Sequence, residues 1–143
     1  MKKYDFYIAA PFFNKEQVER VELVENMLRE KGYTFFSPRT DSAVEDINNP
    51  ENRKKVFKLN HDSILGSDKI IAITDGKDVG TMIEVGMAYQ AGIPVIGVAF
   101  TLKDDQLFNL MIAESCFAVA RNKEQLERII DTNESIKYTG LIE

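Results

Sequence analysis

Three features of the chain predict an α/β fold in which a parallel sheet carries helices on both faces. Short apolar runs alternate with segments of helical periodicity along the 143 residues. The runs are too short and too rich in β-branched residues to be helices, Lys69-Ile70-Ile71-Ala72-Ile73-Thr74 above all. Proline or glycine marks the junctions, with Pro11 and Pro38 after strands and Gly32 and Gly66 after helices.

Tyr4 to Ala10 reads as a first strand, apolar enough to sit mid-sheet. Phe12 and Phe13 stand at its carboxyl end. Asn14 is a good N-cap for a helix from about Lys15 to Lys31, where Val18, Val21, Val24, Met27 and Leu28 recur at helical spacing. Tyr33 to Phe36 is a short second strand. Residues 39 to 52 are polar and turn-rich, either an ordinary surface excursion or a loop facing substrate. A helix from about Glu51 to Gly66 follows, with Val56, Leu59, Ile64 and Leu65 expected inward. Beyond the third strand, Thr81 is expected to open an almost wholly apolar helix that should be covered on most sides. Pro94 to Phe100 is a fourth strand, Asn109 to Ala113 a short helix, and Ser115 to Ala120 a fifth strand. Asn122 caps a last helix to about Asp131, and the tail from Thr132 to Glu143 is expected to be irregular. Right-handed crossovers between five strands favour a flavodoxin-like order of 2-1-3-4-5, in one domain over residues 1–143.

The 44% apolar and 29% charged content is ordinary for a soluble protein. A net charge of -5 without a Lys/Arg stripe argues against a nucleic-acid partner. Cys116 is alone, so no disulfide is possible, and a cytoplasmic location fits. His61 is the only histidine, which excludes a multi-histidine metal site. No run approaches membrane-spanning length, and the charged start Met1-Lys2-Lys3-Tyr4-Asp5 lacks the apolar core of a signal peptide.

In an open sheet of this order, ligands bind at the carboxyl ends of strands 1 and 3, where the order reverses. That rule gathers residues 7–13 with residues 75–84. The converging groups are two carboxylates (Asp78, Glu84), a phenol (Tyr7) and two rings (Phe12, Phe13). Neither a Gly-x-Gly-x-x-Gly nor a Walker loop occurs, so phosphate cradling is not the main business. Two carboxylates beside aromatic rings suit a glycosyl centre, with one attacking the anomeric carbon. Plainer readings stand beside this one. Thr81 and Glu84 have capping-box spacing, and Gly80 fits a bare strand-to-helix turn. Tyr7, Phe12 and Phe13 are residue types that usually just pack. As a nucleophile, Glu84 would be held ionised by the positive end of its helix dipole.

The chain resembles the nucleoside 2-deoxyribosyltransferases over nearly its whole length. Tyr7-Ile8-Ala9-Ala10-Pro11-Phe12-Phe13 is similar to that family's first-strand motif, and Asp78-Val79-Gly80-Thr81-Met82-Ile83-Glu84-Val85-Gly86 to its nucleophile motif, D-x-G-x-x-x-E-x-G. Asn109-Leu110-Met111 resembles the segment that a neighbouring subunit lends to the site, and the tail from Tyr138 to Glu143 resembles one that reaches a sugar pocket. The resemblance implies that 2-deoxyribose passes between nucleobases through an ester on Glu84, in nucleotide salvage. Tyr7 would steady Glu84, and Asp78 would bind the sugar or relay a proton. Phe12, Phe13, Asn60 and Gly80 would contact substrate, with Asn109 and Met111 acting across a subunit boundary. It implies no metal or organic cofactor, and a homo-oligomer, a hexamer built from dimers. Two rivals are an N-glycosidase that uses water and a non-catalytic nucleotide-binding module. One departure stands out: the family's base-contacting Asp is Asn60 here, which cannot ionise, and Asp62 lies about half a turn away. After Pro38, the stretch Arg39-Thr40-Asp41-Ser42 offers no identifiable base reader.

Overall fold

The computed structural model describes residues 3–143; Met1 and Lys2, the beginning of the charged start, lie outside the described residues. Five parallel strands form one sheet in the order β2-β1-β3-β4-β5. They are β1 (Tyr4–Ala9), β2 (Phe35–Phe36), β3 (Ser67–Ile73), β4 (Val95–Val98) and β5 (Ala118–Ala120). The helices are α1 (Lys15–Glu30), α2 (Pro38–Asp41), α3 (Pro50–Leu65), α4 (Val79–Gln90), α5 (Leu110–Ser115) and α6 (Lys123–Thr132). This is the flavodoxin-like arrangement expected from the alternation of elements.

Strand parity sorts the core into two layers. Phe6 and Ile8 of β1, with Ile71 and Ile73 of β3, pack against Val21, Val24 and Leu28 of α1 and Leu126 and Ile129 of α6. Tyr7 and Ala9, with Ile70 and Ala72, face Ile64 of α3, Val85 and Ala88 of α4 and Ala113 of α5. Because β1 and β3 are covered on both faces, their sequences read as continuous apolar runs.

Several elements differ from expectation for local reasons. β2 shrinks to two residues: the turn leaving α1 ends at Gly32, with φ +81, and Tyr33 and Thr34 lead from it into the strand, the Thr34 carbonyl accepting from the Phe6 amide at 3.1 Å. β5 begins late because Ser115 still belongs to α5, which Asn109 caps by accepting from the amide of Ile112 at 3.1 Å. Helix α4 starts at Val79, not Thr81, since Asp78 is its cap: Oδ2 accepts the Thr81 amide at 2.9 Å. On α3, Ile64 is buried as expected, whereas Leu59 and Leu65 are exposed. Nor is α4 covered on most sides. Val79 is 77% and Ile83 59% exposed. The tail lacks regular structure yet is tied down. Phe108 donates to the carbonyl of Leu141 at 2.9 Å and Glu143 to that of Phe108 at 3.0 Å, while Lys77 reaches the Glu143 carboxylate at 3.2 Å. No described helix is long and apolar enough to cross a membrane.

Candidate active site

At the carboxyl ends of β1 and β3 lies an open cavity of about 540 Å³. Its position is the one that the reversal of strand order dictates. One wall comes from α4 and the loop before it, with Asp78, Gly80, Ile83, Glu84 and Met87. Alpha-3 supplies a second wall with Val56, Phe57, Asn60, His61 and Ile64. Phe12 and Phe13 stand at the end of β1, stacked at 5.7 Å between centroids and 24° between planes. Pro38 helps close the remaining side, and the turn-rich stretch 39–52 faces the cavity through Arg39, Ser42, Ala43, Val44 and Ile47.

The central pair is Glu84 and Tyr7. The Tyr7 hydroxyl donates to Oε2 of Glu84 from a ring that is fully buried in β1. Its ring lies parallel to that of Phe36 at 5.6 Å, so packing fixes the direction of the hydroxyl. Glu84 therefore does not make the capping-box bond that its spacing with Thr81 suggested, because Asp78 already caps the helix. Burial pushes the Glu84 carboxyl up to about 7; the hydrogen bond from Tyr7 works against that rise and the Asp78 charge adds to it. The expected dipole effect is not what governs Glu84. It sits in the second turn, beyond the reach of the helix terminus, and desolvation dominates. The Tyr7 phenol is itself held well above its ordinary value by burial, then by the charge and hydrogen bond of Glu84.

Asp78 uses Oδ2 twice, accepting from the amide and the hydroxyl of Thr81, both at 2.9 Å. A side chain at position 80 would come within 3.2 Å of that same oxygen, which explains glycine there. Upstream, Gly76 at φ +85 makes the loop turn possible. Asn60 lines the cavity with its Oδ1 buried and unpartnered among the described residues. Asp62 points elsewhere, to Lys58 at 2.5 Å. Asn109 and Met111 do not line the cavity; Met111 is 71% exposed on α5.

Several cavity residues were not anticipated. Arg39 is fixed by Glu25, whose Oε1 accepts from Nη2 at 2.6 Å while Oε2 accepts from the Ser37 hydroxyl at 2.6 Å. Glu25 is only 4% exposed. A carboxylate on the Val21–Leu28 stripe of α1 was the one available sign that a cation would meet it. Phe57 and His61 follow from a helical stripe centred on Asn60 rather than on Leu59. Among the described residues no group of three or more His, Cys, Asp or Glu side chains is placed to hold a metal ion.

Fold and cavity together define a flavodoxin-like α/β protein with a phenol-supported carboxylate at the switch point of its sheet. The sequence model of the nucleoside 2-deoxyribosyltransferases matches residues 6–114, and the chain belongs to that family. It is an enzyme of the deoxyribosyl-transferring class. The 2-deoxyribosyltransferase of the psychrotolerant bacterium Bacillus psychrosaccharolyticus is 34% identical, with a TM-score of 0.82 over 94% of this chain and 98% of that one. Two more distant structures share the fold. A conserved protein from Enterococcus faecalis is 24% identical, with a TM-score of 0.60 over 93% of this chain and 79% of that one. The CMP N-glycosidase of Clostridium botulinum is 18% identical, with a TM-score of 0.57 over 88% and 97%. Among curated protein sequences none matches.

Proposed function

We propose that the protein exchanges the base of a 2′-deoxynucleoside for a second free base by a double displacement with retention. The Glu84 carboxylate attacks C1′, the first base departs, and the second base attacks the resulting deoxyribosyl ester. The observation that carries this reading is the bond from the buried Tyr7 hydroxyl to Glu84 inside the cavity. A nucleophile has to be aimed, and a ring locked in the central strand aims it. The same crowding beside the carboxylate disfavours a substrate 2′-hydroxyl. Phe12 and Phe13 supply apolar surface for the base, Gly80 permits close approach, and the free oxygen of Asp78 is available to the sugar.

The pocket is completed, in this reading, by Asn109 and Met111 of a second copy, within a dimer-based hexamer. Supporting it is the exposed apolar surface of Val79, Ile83, Leu110 and Met111 on one side of the sheet. The tail pairs with residues 108–110, so it would travel with α5 to the neighbour's site.

The test is to incubate the protein with a deoxynucleoside, with and without a second free base. Exchange that requires the acceptor supports the proposal. Release of base at the same rate without it points to hydrolysis, and no reaction in either arm sinks both.

A further inference from the structure

We infer that His61 hands a proton to the departing base and takes one back from the incoming base. This rests on the transferase reading and deepens it. Four ionisable side chains line the cavity: Arg39, His61, Asp78 and Glu84. Glu84 is the attacking group. Asp78 holds the start of α4 through Oδ2, and its free oxygen is the one this reading assigns to the sugar. Arg39 is bound to Glu25, and a guanidinium does not release its proton. Asn60, one residue before His61 on the same wall, is an amide and cannot ionise. Histidine is the residue type that gives and recovers a proton near neutrality.

The geometry suits the task. The imidazole lies flat against Phe57, one turn earlier on α3, at 6.3 Å between centroids and 9° between planes. Its Nδ1 stands 3.6 Å from Oδ1 of Asp62, close enough for that carboxylate to orient the ring. Nε2 has no hydrogen-bond partner among the described residues, and the ring forms part of the cavity wall. In the first half-reaction the C1′–N bond breaks with its electron pair going to the base, the bond from Glu84 oxygen to C1′ forms, and the imidazolium proton moves to the base. In the second, the acceptor nitrogen bonds to C1′, the ester C–O bond breaks to restore the carboxylate, and the acceptor's N–H proton returns to the imidazole. The charged groups that share this space are Lys58 and Asp62 on α3 and Arg39, Asp78 and Glu84 across the cavity.

The experiment measures kcat/KM for wild type and His61→Gln over a series of 2′-deoxynucleosides whose departing bases differ in acidity. For the least acidic base, the variant should lose about 10²-fold or more, the usual worth of a general acid. The loss should shrink to within about threefold for a base acidic enough to leave as an anion. Asp62→Asn should show the same trend, weaker. His61 is partly exposed, so the variant should fold, which circular dichroism checks. An equal loss across the series, or none, overturns the role of His61 and leaves the transferase reading standing. A wild type that turns over no member of the series overturns both.

Discussion

The two faces of the sheet are finished differently. On one, α1 and α6 bury Val24, Leu28, Leu126 and Ile129 completely, present charged residues outward and are joined by Lys31 and Asp131 at 2.8 Å. On the other, α3, α4 and α5 cover the sheet but leave Phe57, Val79, Ile83 and Met111 exposed. The first face has completed its burial, so its side chains do structural duty. The second holds the cavity and a patch of apolar surface left open to solvent. Stability and chemistry are thus divided between the faces, and substitutions on each should behave differently.

The largest effect belongs to the second face. Glu84→Ala should leave a folded protein whose transfer rate has fallen on the order of 10⁴-fold or more, since the covalent route is gone. Unfolding by circular dichroism, or near-normal turnover, would remove Glu84 from the mechanism. The mirror experiment is Leu126→Ala on the first face. It should cost about 2–5 kcal/mol of stability in urea melts, while the remaining folded enzyme keeps its kcat. A change in kcat at full folding would break the division.

Tyr7→Phe comes next, lowering kcat by roughly a hundredfold with little change in KM, because the hydroxyl positions Glu84 rather than substrate. It also removes the one influence that lowers the Glu84 carboxyl, so the acid limb of the pH profile should move upward. In wild type that limb should lie near 7, because attack requires the ionised carboxylate. A limb near 4.5, the ordinary value, would contradict the burial of Glu84. Stability runs the opposite way. A carboxyl raised in the folded state favours folding while protonated, and that advantage is lost as pH rises from 4.5 through about 7. Glu84→Gln, which cannot ionise, should therefore gain melting temperature over wild type at pH 8 but not at pH 4. Such a gain is bounded at roughly 3 kcal/mol by the size of the shift.

The smallest effect on the isolated chain should come from Val79→Glu, on the exposed side of α4 and outside the cavity wall. An exposed position costs within about 0.5 kcal/mol, yet a charge there should abolish association seen by light scattering. Subunit exchange sharpens the point. Glu84→Ala and Asn109→Ala, each inactive, should regain activity when mixed, because a mixed dimer carries one intact site. A fully active monomer would defeat the shared pocket.

Much of this was readable beforehand. Element order, sheet order and the convergence of Tyr7, Phe12, Asp78 and Glu84 follow from periodicity and the switch-point rule, all of which are local or topological. Arg39 was illegible because its partner Glu25 lies on another element, and no spacing connects them. The cap of α4 was misplaced by three residues because Asp78 and Thr81 are both good caps, and only the fold decides between them. The exposed side of α4 escaped notice for a related reason. An all-apolar helix looks the same in sequence whether its own chain covers it or a second chain would.

The position of Tyr7 in β1 has one more consequence. Its neighbours Phe6 and Ile8 project to the opposite face, so what brings the hydroxyl to Glu84 is whether its position in the strand is odd or even. Inserting or deleting one residue between Asp5 and Tyr7 would exchange the faces and put an isoleucine or a phenylalanine before the carboxylate. A two-residue change would restore the face but carry the hydroxyl about 6.6 Å along the strand, past Glu84. In the loop after Pro38 and in the tail, by contrast, an added residue would shift no parity.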